Sequence, residues 1–528
     1  MTPLATGQHQ PARGPSALLW VGAFAAFSLL YVATAQRGAN WQDSGSRQWR
    51  ILTGQYADPL GLALVHPLYV AVGRAIAAVP IGSVTARMNA LSGLAMAAAL
   101  ANLACVVALL TGRRWVGLAA AAMVAVCHAV WWVATITESY TLNAALFTAE
   151  LWLLVAMLRR PRGWLLVGLG LASGLNLSVH NLALLGLPVY GVAAIALLVR
   201  RRLPVWSAVA AAVAFLAGAA PYLGLIVRDA QASGDVGRTI QSALFGHYRS
   251  DVLNVSANWP MMRANAALAG MNLVSLLPVL AVVGWVSLRR LPSRGTAWAL
   301  AALTVIEVLF VARYSIRDQF MFLLPTLMMV GVAAGIGLGA MADASGGWRR
   351  AAWVACVLSV VVPPTVYAAA PAIAKRAGVE VRRARELPFR DELRYWLVPW
   401  KHNERSADLF ARGALAGVET DGVILADTTV RDTLRVVQRV EGLAPTVLVT
   451  DGEGPLGDYD RDAVAFRRAL GGRRLYVVSP VAGYVPAGLP ADADFRKLPQ
   501  VLYEVVWKAA GPDPTSGPAS RAARPTSE

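Results

Sequence analysis

Eleven apolar runs, each long enough to cross a bilayer at about 20 residues per span, fill most of the first 370 residues and constrain the chain more than any other feature. They lie at roughly 17–35, 85–111, 115–135, 140–158, 163–180, 181–199, 204–227, 264–288, 296–313, 320–341 and 350–370. Hydrophobic residues make up 56% of the 528 and charged residues only 15%, where a soluble domain carries about a quarter. The expected fold is an all-α polytopic transmembrane bundle, residues 17–370, behind a short leader, 1–16.

The net charge of +17 would ordinarily suggest nucleic acid. Here the basic residues are nearly all arginine, and they cluster between apolar runs at Arg113/Arg114, Arg159/Arg160/Arg162, Arg200/Arg201/Arg202, Arg289/Arg290/Arg294 and Arg349/Arg350. Eleven spans with a cytoplasmic N-terminus put all five clusters on the cytoplasmic side, as the positive-inside rule demands. The charge is a topology signal, and no nucleic-acid partner is expected; the partner is the bilayer. Counting 61–80 as a further span would turn every later cluster outward. That segment, with His66, Pro67 and Arg74, is therefore read as interfacial helix and loop within a large first external loop, 36–84.

The polar leader and Ala33-Thr34-Ala35 imitate a cleaved signal, but the apolar run is too long for one and is read as an uncleaved first helix. Cys105, Cys127 and Cys356 all fall inside apolar runs and are read as inert thiols. After Pro371 the composition turns polar. Strand-like runs at 422–426, 445–450 and 474–479 alternate with helical patterns, which predicts a small external α/β domain over 371–510. Asp427 and Asp451 follow strand ends and are read as loop or cap carboxylates. Residues 511–528, rich in Pro, Ser, Ala and Arg, read as a disordered tail.

The same topology gathers polar residues on the external face. Asp43 stands in the Trp41-Gln42-Asp43-Ser44-Gly45 stretch, His66 and Tyr69 follow in the same loop, and Glu138, Tyr140 and Asn143 open the fourth span. His180 and Asn181 lie between the fifth and sixth spans, and Arg317 and Asp318 between the ninth and tenth. Ionisable groups at membrane depth are expensive and usually face a cavity or a partner. Such a cavity suits a transferase, with a carboxylate as base for an acceptor hydroxyl and an arginine for a phosphate leaving group. It equally suits a transporter or flippase for a lipid-linked or small solute, or an assembly protein that binds a partner outside.

The order W-Q-D-S-G, H-P-L-Y and W-x5-E-S-Y-T-L-N (Trp132 to Asn143) resembles the bacterial protein O-mannosyltransferase-like membrane proteins of the GT-C glycosyltransferase superfamily. R-D-Q-F-M-F-L-L-P (Arg317 to Pro325), L-P-F-R-D (Leu387 to Asp391) and V-P-W-K (Val398 to Lys401) extend the resemblance over about 36–450. It implies a multi-pass protein of the bacterial inner membrane, with its C-terminal domain on the periplasmic side. It also implies a polyprenyl-phosphate-linked sugar as donor, mannose-like hexose or other, a protein hydroxyl or glycolipid as acceptor, and inversion at the anomeric carbon. On that resemblance Asp43 is the catalytic base, and Glu138 supplies a second carboxylate, since this chain has Ser46 where the family's Asp-Ser-Gly-Glu pattern often has Glu. His66, Tyr69, Tyr140, Asn143, His180 and Asn181 bind substrate, and Arg317 holds the donor phosphate with Asp318 orienting it. No cofactor is assigned; the Ser46 substitution leaves a divalent metal open. A transporter would show repeated, Gly/Pro-broken helices in matching halves, and no such repeat is present.

Overall fold

A computed structural model describes residues 17–508 other than 315, 317, 345, 382–386 and 453–455. The chain divides into two compact units, Met1–Arg382 with Phe389–Asp408, and Arg383–Pro388 with Leu409–Glu528.

In the first unit every regular element among the described residues is a helix. It opens with α1 (Ala17–Thr34), the short α2 (Gln42–Thr53) and α3 (Pro67–Ala77), then α4 (Val84–Thr111), α5 (Arg114–Ala125) and α6 (His128–Ala134). α7 (Tyr140–Arg159), α8 (Gly163–Leu177), α9 (Leu187–Val199) and α10 (Trp206–Ser233) follow, then α11 (Val236–Leu244) and α12 (Arg249–Val252). α13 (Trp259–Asn272), α14 (Leu277–Ser287), α15 (Arg294–Arg313), α16 (Gln319–Asp343), α17 (Gly347–Arg376) and α18 (Glu392–Leu397) complete it.

All eleven apolar runs are helical, but not all as straight spans. Among the described residues, seven helices are long and apolar enough to cross a membrane: α1, α4, α7, α10, α15, α16 and α17. Two more crossings are bent pairs, α5 with α6 at 78° and Trp259–Asn272 with Leu277–Arg290 at 101°, which makes up to nine. α8 and α9, 15 and 13 residues long, reach only about 20 Å at 1.5 Å per residue, short of the ~30 Å hydrocarbon core. The 61–80 segment forms a 3-10 turn (Leu62–Leu64) and the 11-residue α3, too short to span, in keeping with an interfacial reading.

Interior and rim helices differ in how their apolar surface is spent. α4 and α16 are apolar on every side and mostly buried, so they form the centre of the unit. α1, α10, α15 and α17 bury only a minority of their apolar windows and leave side chains such as Leu29, Val209, Leu309 and Val357 exposed. A soluble protein could not carry this much bare apolar surface, and a bilayer covers it. Between helices, where lipid and leucine are equally apolar, close backbone packing supplies much of the association. α14 meets α16 through glycine: a Cβ on Gly284 would lie 1.6 Å from the Ala333 carbonyl oxygen, and one on Gly337 2.1 Å from that of Leu280.

The change in composition near 371 is not where the units divide. α17 continues through Pro371 to Arg376, and Phe389–Asp408 belongs to the first unit. Hydrogen bonds tie that segment down: Lys401 N–H to Thr34 O (2.8 Å), Thr135 Oγ1 to Pro399 O (2.9 Å) and Trp41 Nε1 to Ser406 Oγ (2.9 Å).

The second unit contains a five-stranded sheet of order β2-β1-β3-β5-β4. The strands are β1 (Val423–Leu425), β2 (Leu448–Thr450), β3 (Leu475–Val477), β4 (Ala493–Lys497) and β5 (Tyr503–Trp507). The first three are parallel and match the three expected strand runs. β4 and β5 form an antiparallel edge absent from the sequence reading, because A-D-F-R-K is too charged to read as a strand. Asp427 Oδ1 accepts the Thr429 N–H at 2.9 Å and Asp451 pairs with Arg431, so both carry local structural bonds. The expected tail, 511–528, and the leader, 1–16, lie outside the described residues.

Gly284→Val forces α14 and α16 apart and is expected to destabilise the full chain by about 1–3 kcal/mol, read as a lowered thermal unfolding midpoint in detergent. Gly191→Ala, where an added Cβ meets nothing within 4 Å, leaves the midpoint in place.

Candidate active site

The 36–84 loop is held against the bundle by amides. Asn89 on α4 donates Nδ2 to Gln36 O at 2.8 Å, Gln48 on α2 donates to Asn89 Oδ1 at 3.2 Å, and the Gln36 N–H reaches Thr135 O at 2.9 Å. Trp41 is buried, Gln42 takes a left-handed backbone (φ 55°), and α2 starts there. Asp43 therefore falls in the first helical turn, where free N–H groups favour an acid, and Arg47 stands one turn later on the same face.

This spacing builds the core of the site. Arg47 Nη1 lies 3.8 Å from Asp43 Oδ2, and its Nε lies 3.2 Å from Glu138 Oε2 without the alignment of a hydrogen bond. Ser44 Oγ donates to the other Glu138 oxygen at 2.5 Å. The Asp43 side chain is 60% exposed, that of Arg47 10% and that of Glu138 0%. One guanidinium thus bridges an open carboxylate and a buried one. Burial pushes the Glu138 carboxyl up to about 7 against the pull of Arg47 and Ser44, with Asp43 and Asp318 adding to the rise. Burial alone would pull Arg47 down, but Glu138 and then Asp43 outweigh it and raise it above its usual value.

Asp43 and Arg47 open onto a cavity of about 280 Å³. His66, Tyr140, His180 and Asp318 complete its polar side, and Leu64, Leu182, Leu185, Phe245, Phe310 and Phe322 its apolar side. Among the described lining residues, Arg47 is the only lysine or arginine. Asp43 and Asp318 also border a much smaller cleft walled by Trp41, Glu138, Trp132, Tyr395 and Trp396. Trp132 and Trp396 stack there at 5.7 Å, and Arg390 lies 4.3 Å over the Tyr395 ring.

Asp43, His66, Tyr140, His180, Asn181 and Asp318, drawn from separate loops, are brought together around the cavity, and Glu138 lies beneath it. Asn181 donates Nδ2 to the Ala243 and Leu244 carbonyls, which anchors the cavity wall. Two residues expected to bind substrate line neither space. Tyr69 is buried with Ile51, Met88 and Leu91, its hydroxyl 3.4 Å from Ser92 Oγ. Asn143 is buried between α7 and α8 and donates to Asn176 Oδ1 at 2.8 Å, and Asn176 in turn donates to Glu150. Both sit on the first turns of helices, where the neighbouring helical positions point to core and cavity in turn. Arg317 lies outside the described residues. Arg47, Tyr248 and the Tyr395–Trp396 pair went unnamed in the sequence reading; the Asp43–Arg47 spacing was the available signal for the first. No group of three or more His, Cys, Asp or Glu among the described residues is placed to hold a metal ion.

Glu138 sets a pH dependence. Its carboxyl, raised from 4.5 to about 7, keeps a proton in the folded protein that the unfolded chain has released, so its stabilising contribution is complete below about 4.5 and lost as pH rises through about 7. Thermal unfolding of the full chain in detergent is expected to show a steeper loss of stability across that window in wild type than in Glu138→Gln. Equal slopes would contradict the assignment.

Residues 65–205 match the family described as the protein O-mannosyl-transferase TMEM260 N-terminal domain. No curated protein matches the chain by sequence. Among solved structures, ArnT from Cupriavidus metallidurans bound to undecaprenyl phosphate superposes with a TM-score of 0.52 at 14% identity, over 94% of this chain and 100% of that one. The apo state of the same protein gives 0.53 at 14% identity, over 92% and 97%. The chain is a multi-pass membrane protein with the fold of ArnT, and its residues 65–205, from the start of α3 through α9, match a protein O-mannosyl-transferase domain.

Proposed function

We propose that the chain transfers a sugar, a mannose-like hexose or another, from a polyprenyl-phosphate-linked donor to a hydroxyl of a protein or glycolipid acceptor, with inversion at the anomeric carbon. The observation that carries this reading is the exposed Asp43 carboxylate at the mouth of a largely apolar cavity, paired with an arginine that a buried glutamate fixes in place. The similarity to an ArnT structure that holds undecaprenyl phosphate supports the lipid-linked donor.

In this mechanism Asp43 accepts the proton of the acceptor hydroxyl while that oxygen attacks the anomeric carbon from the face opposite the phosphate. The bond from the anomeric carbon to the phosphate oxygen breaks, and polyprenyl phosphate leaves with the electron pair. Arg47 meets the charge that develops there. Glu138, 0% exposed in its side chain and bonded by Ser44, acts by holding that guanidinium in place. Leu182, Leu185, Phe245 and Phe322 offer the prenyl chain an apolar wall. Arg317 retains the phosphate-binding role expected of it, beside Asp318. The positive-inside pattern of the arginine clusters supports an external face for this chemistry, with the N-terminus cytoplasmic and the second unit outside, and the family resemblance supports a bacterial cell membrane.

Asp43→Asn keeps the side chain's shape and removes the base. In membranes supplied with radiolabelled polyprenyl-phosphate sugar, transfer is expected to fall by about a hundredfold or more while the amount of protein is unchanged. Full transfer by that variant removes Asp43 as the base.

A further inference from the structure

His66 and His180 stack face to face on the cavity wall, with ring centroids 5.0 Å apart at 20°. Their inner nitrogens are committed in opposite senses. His66 Nδ1 lies 2.7 Å from the Val179 carbonyl oxygen, which can only accept, so His66 carries its proton on Nδ1. His180 Nδ1 accepts the Leu182 N–H at 3.1 Å, so His180 carries its proton on Nε2. Burial, His180 and Arg47 together hold His66 in the neutral form. One ring therefore offers a lone pair at Nε2 and its neighbour an N–H, and no described residue bonds either Nε2.

The backbone is arranged to keep this polarity. His66 takes φ 52°, ψ 56°, a left-handed region that a side-chain-bearing residue enters only when its surroundings impose it, and it does so directly before Pro67, which favours extended geometry in the preceding residue. The Leu68 N–H to Ser178 O bond (3.0 Å) and the His66 bond to Val179 clamp the turn from both sides. Strain of this kind tends to collect where a side chain must be aimed.

A donor and an acceptor side by side select their ligand. An ionised phosphate oxygen only accepts and would meet the His66 lone pair unfavourably; an ammonium only donates and would meet the His180 N–H. A hydroxyl does both at one oxygen. We propose that His66 and His180 form a hydroxyl-reading pair for the donor sugar, in which one sugar hydroxyl donates to His66 Nε2 and accepts from His180 Nε2–H. The pair is thereby a specificity device for a hydroxylated sugar in the cavity that Arg47 and Asp43 also line, and it rests on the donor class proposed above.

The test uses the purified full-length chain and two probes, undecaprenyl phosphate and undecaprenyl-phosphate mannose, with binding constants measured for each. His66→Asn keeps a donor for Val179 O but has nothing at Nε2, whereas His66→Gln places an amide near Nε2 and loses the Val179 bond. His66→Asn is expected to weaken the mannosyl lipid by about tenfold, the worth of one hydrogen bond, with undecaprenyl phosphate unchanged and His66→Gln close to wild type. His180→Asn, which keeps an acceptor for Leu182, is expected to repeat the His66→Asn pattern and serves if that variant fails to fold. Equal weakening of both lipids assigns the pair to phosphate and overturns the proposal. Retention by Asn with loss in Gln overturns it too, by reducing His66 to a link to Val179. A wild-type chain that does not prefer the mannosyl lipid also counts against it. A wild-type chain that binds neither lipid instead overturns the donor class itself.

Discussion

The guanidinium of Arg47 lies between two carboxylates of opposite exposure, and the site is organised around that asymmetry. Glu138 has its side chain wholly out of solvent, so its charge is tolerable only beside a cation and a hydrogen-bond donor, which Arg47 and Ser44 supply. Both of those sit on α2, one turn apart. Satisfying Glu138 therefore sets the rotation of α2, and that rotation in turn presents Asp43 to the cavity rather than to the bundle. The buried ion pair acts here as a positioning device, with Asp43 as its exposed end.

Everything that anchors α2 extends the same constraint outward. Asn89 and Gln48 sew the loop to α4, and the Phe389–Asp408 segment crosses it with bonds to Thr34, Trp41 and Thr135. Lys401 is buried within that segment, its Nζ 2.8 Å from the Val398 carbonyl oxygen and 5.2 Å from the Trp132 ring. A segment remote in sequence thus closes the aromatic cleft next to Asp43 and Glu138.

Much of this was legible from residue types alone. The apolar runs located the helices because burial in lipid or core demands the same composition, and the polar residues of several separate loops converge around one cavity. What the runs could not convey was bending. α5–α6 breaks at 78° where Asn272 accepts the Ala129 N–H from another helix, and no local pattern announces a cap supplied 143 residues away. Tyr69 and Asn143 were misplaced for a related reason: a polar side chain near a helix start satisfies itself equally well in the core, as Asn143 does through Asn176. Arg47 shows the reverse: nothing in the residue types ties it to Glu138, 91 positions away, and only the fold brings the two to 3.2 Å.

In the proposed reaction the Arg47 guanidinium contacts the donor's phosphate and the Leu182–Phe322 wall contacts its chain. An electron cryomicroscopy structure of the full chain with undecaprenyl phosphate tests this directly. Phosphate density is expected about 3 Å from Arg47, with the prenyl chain running along Leu182, Leu185 and Phe322. A phosphate bound away from Arg47, with this cavity left to water or side chains, would contradict it.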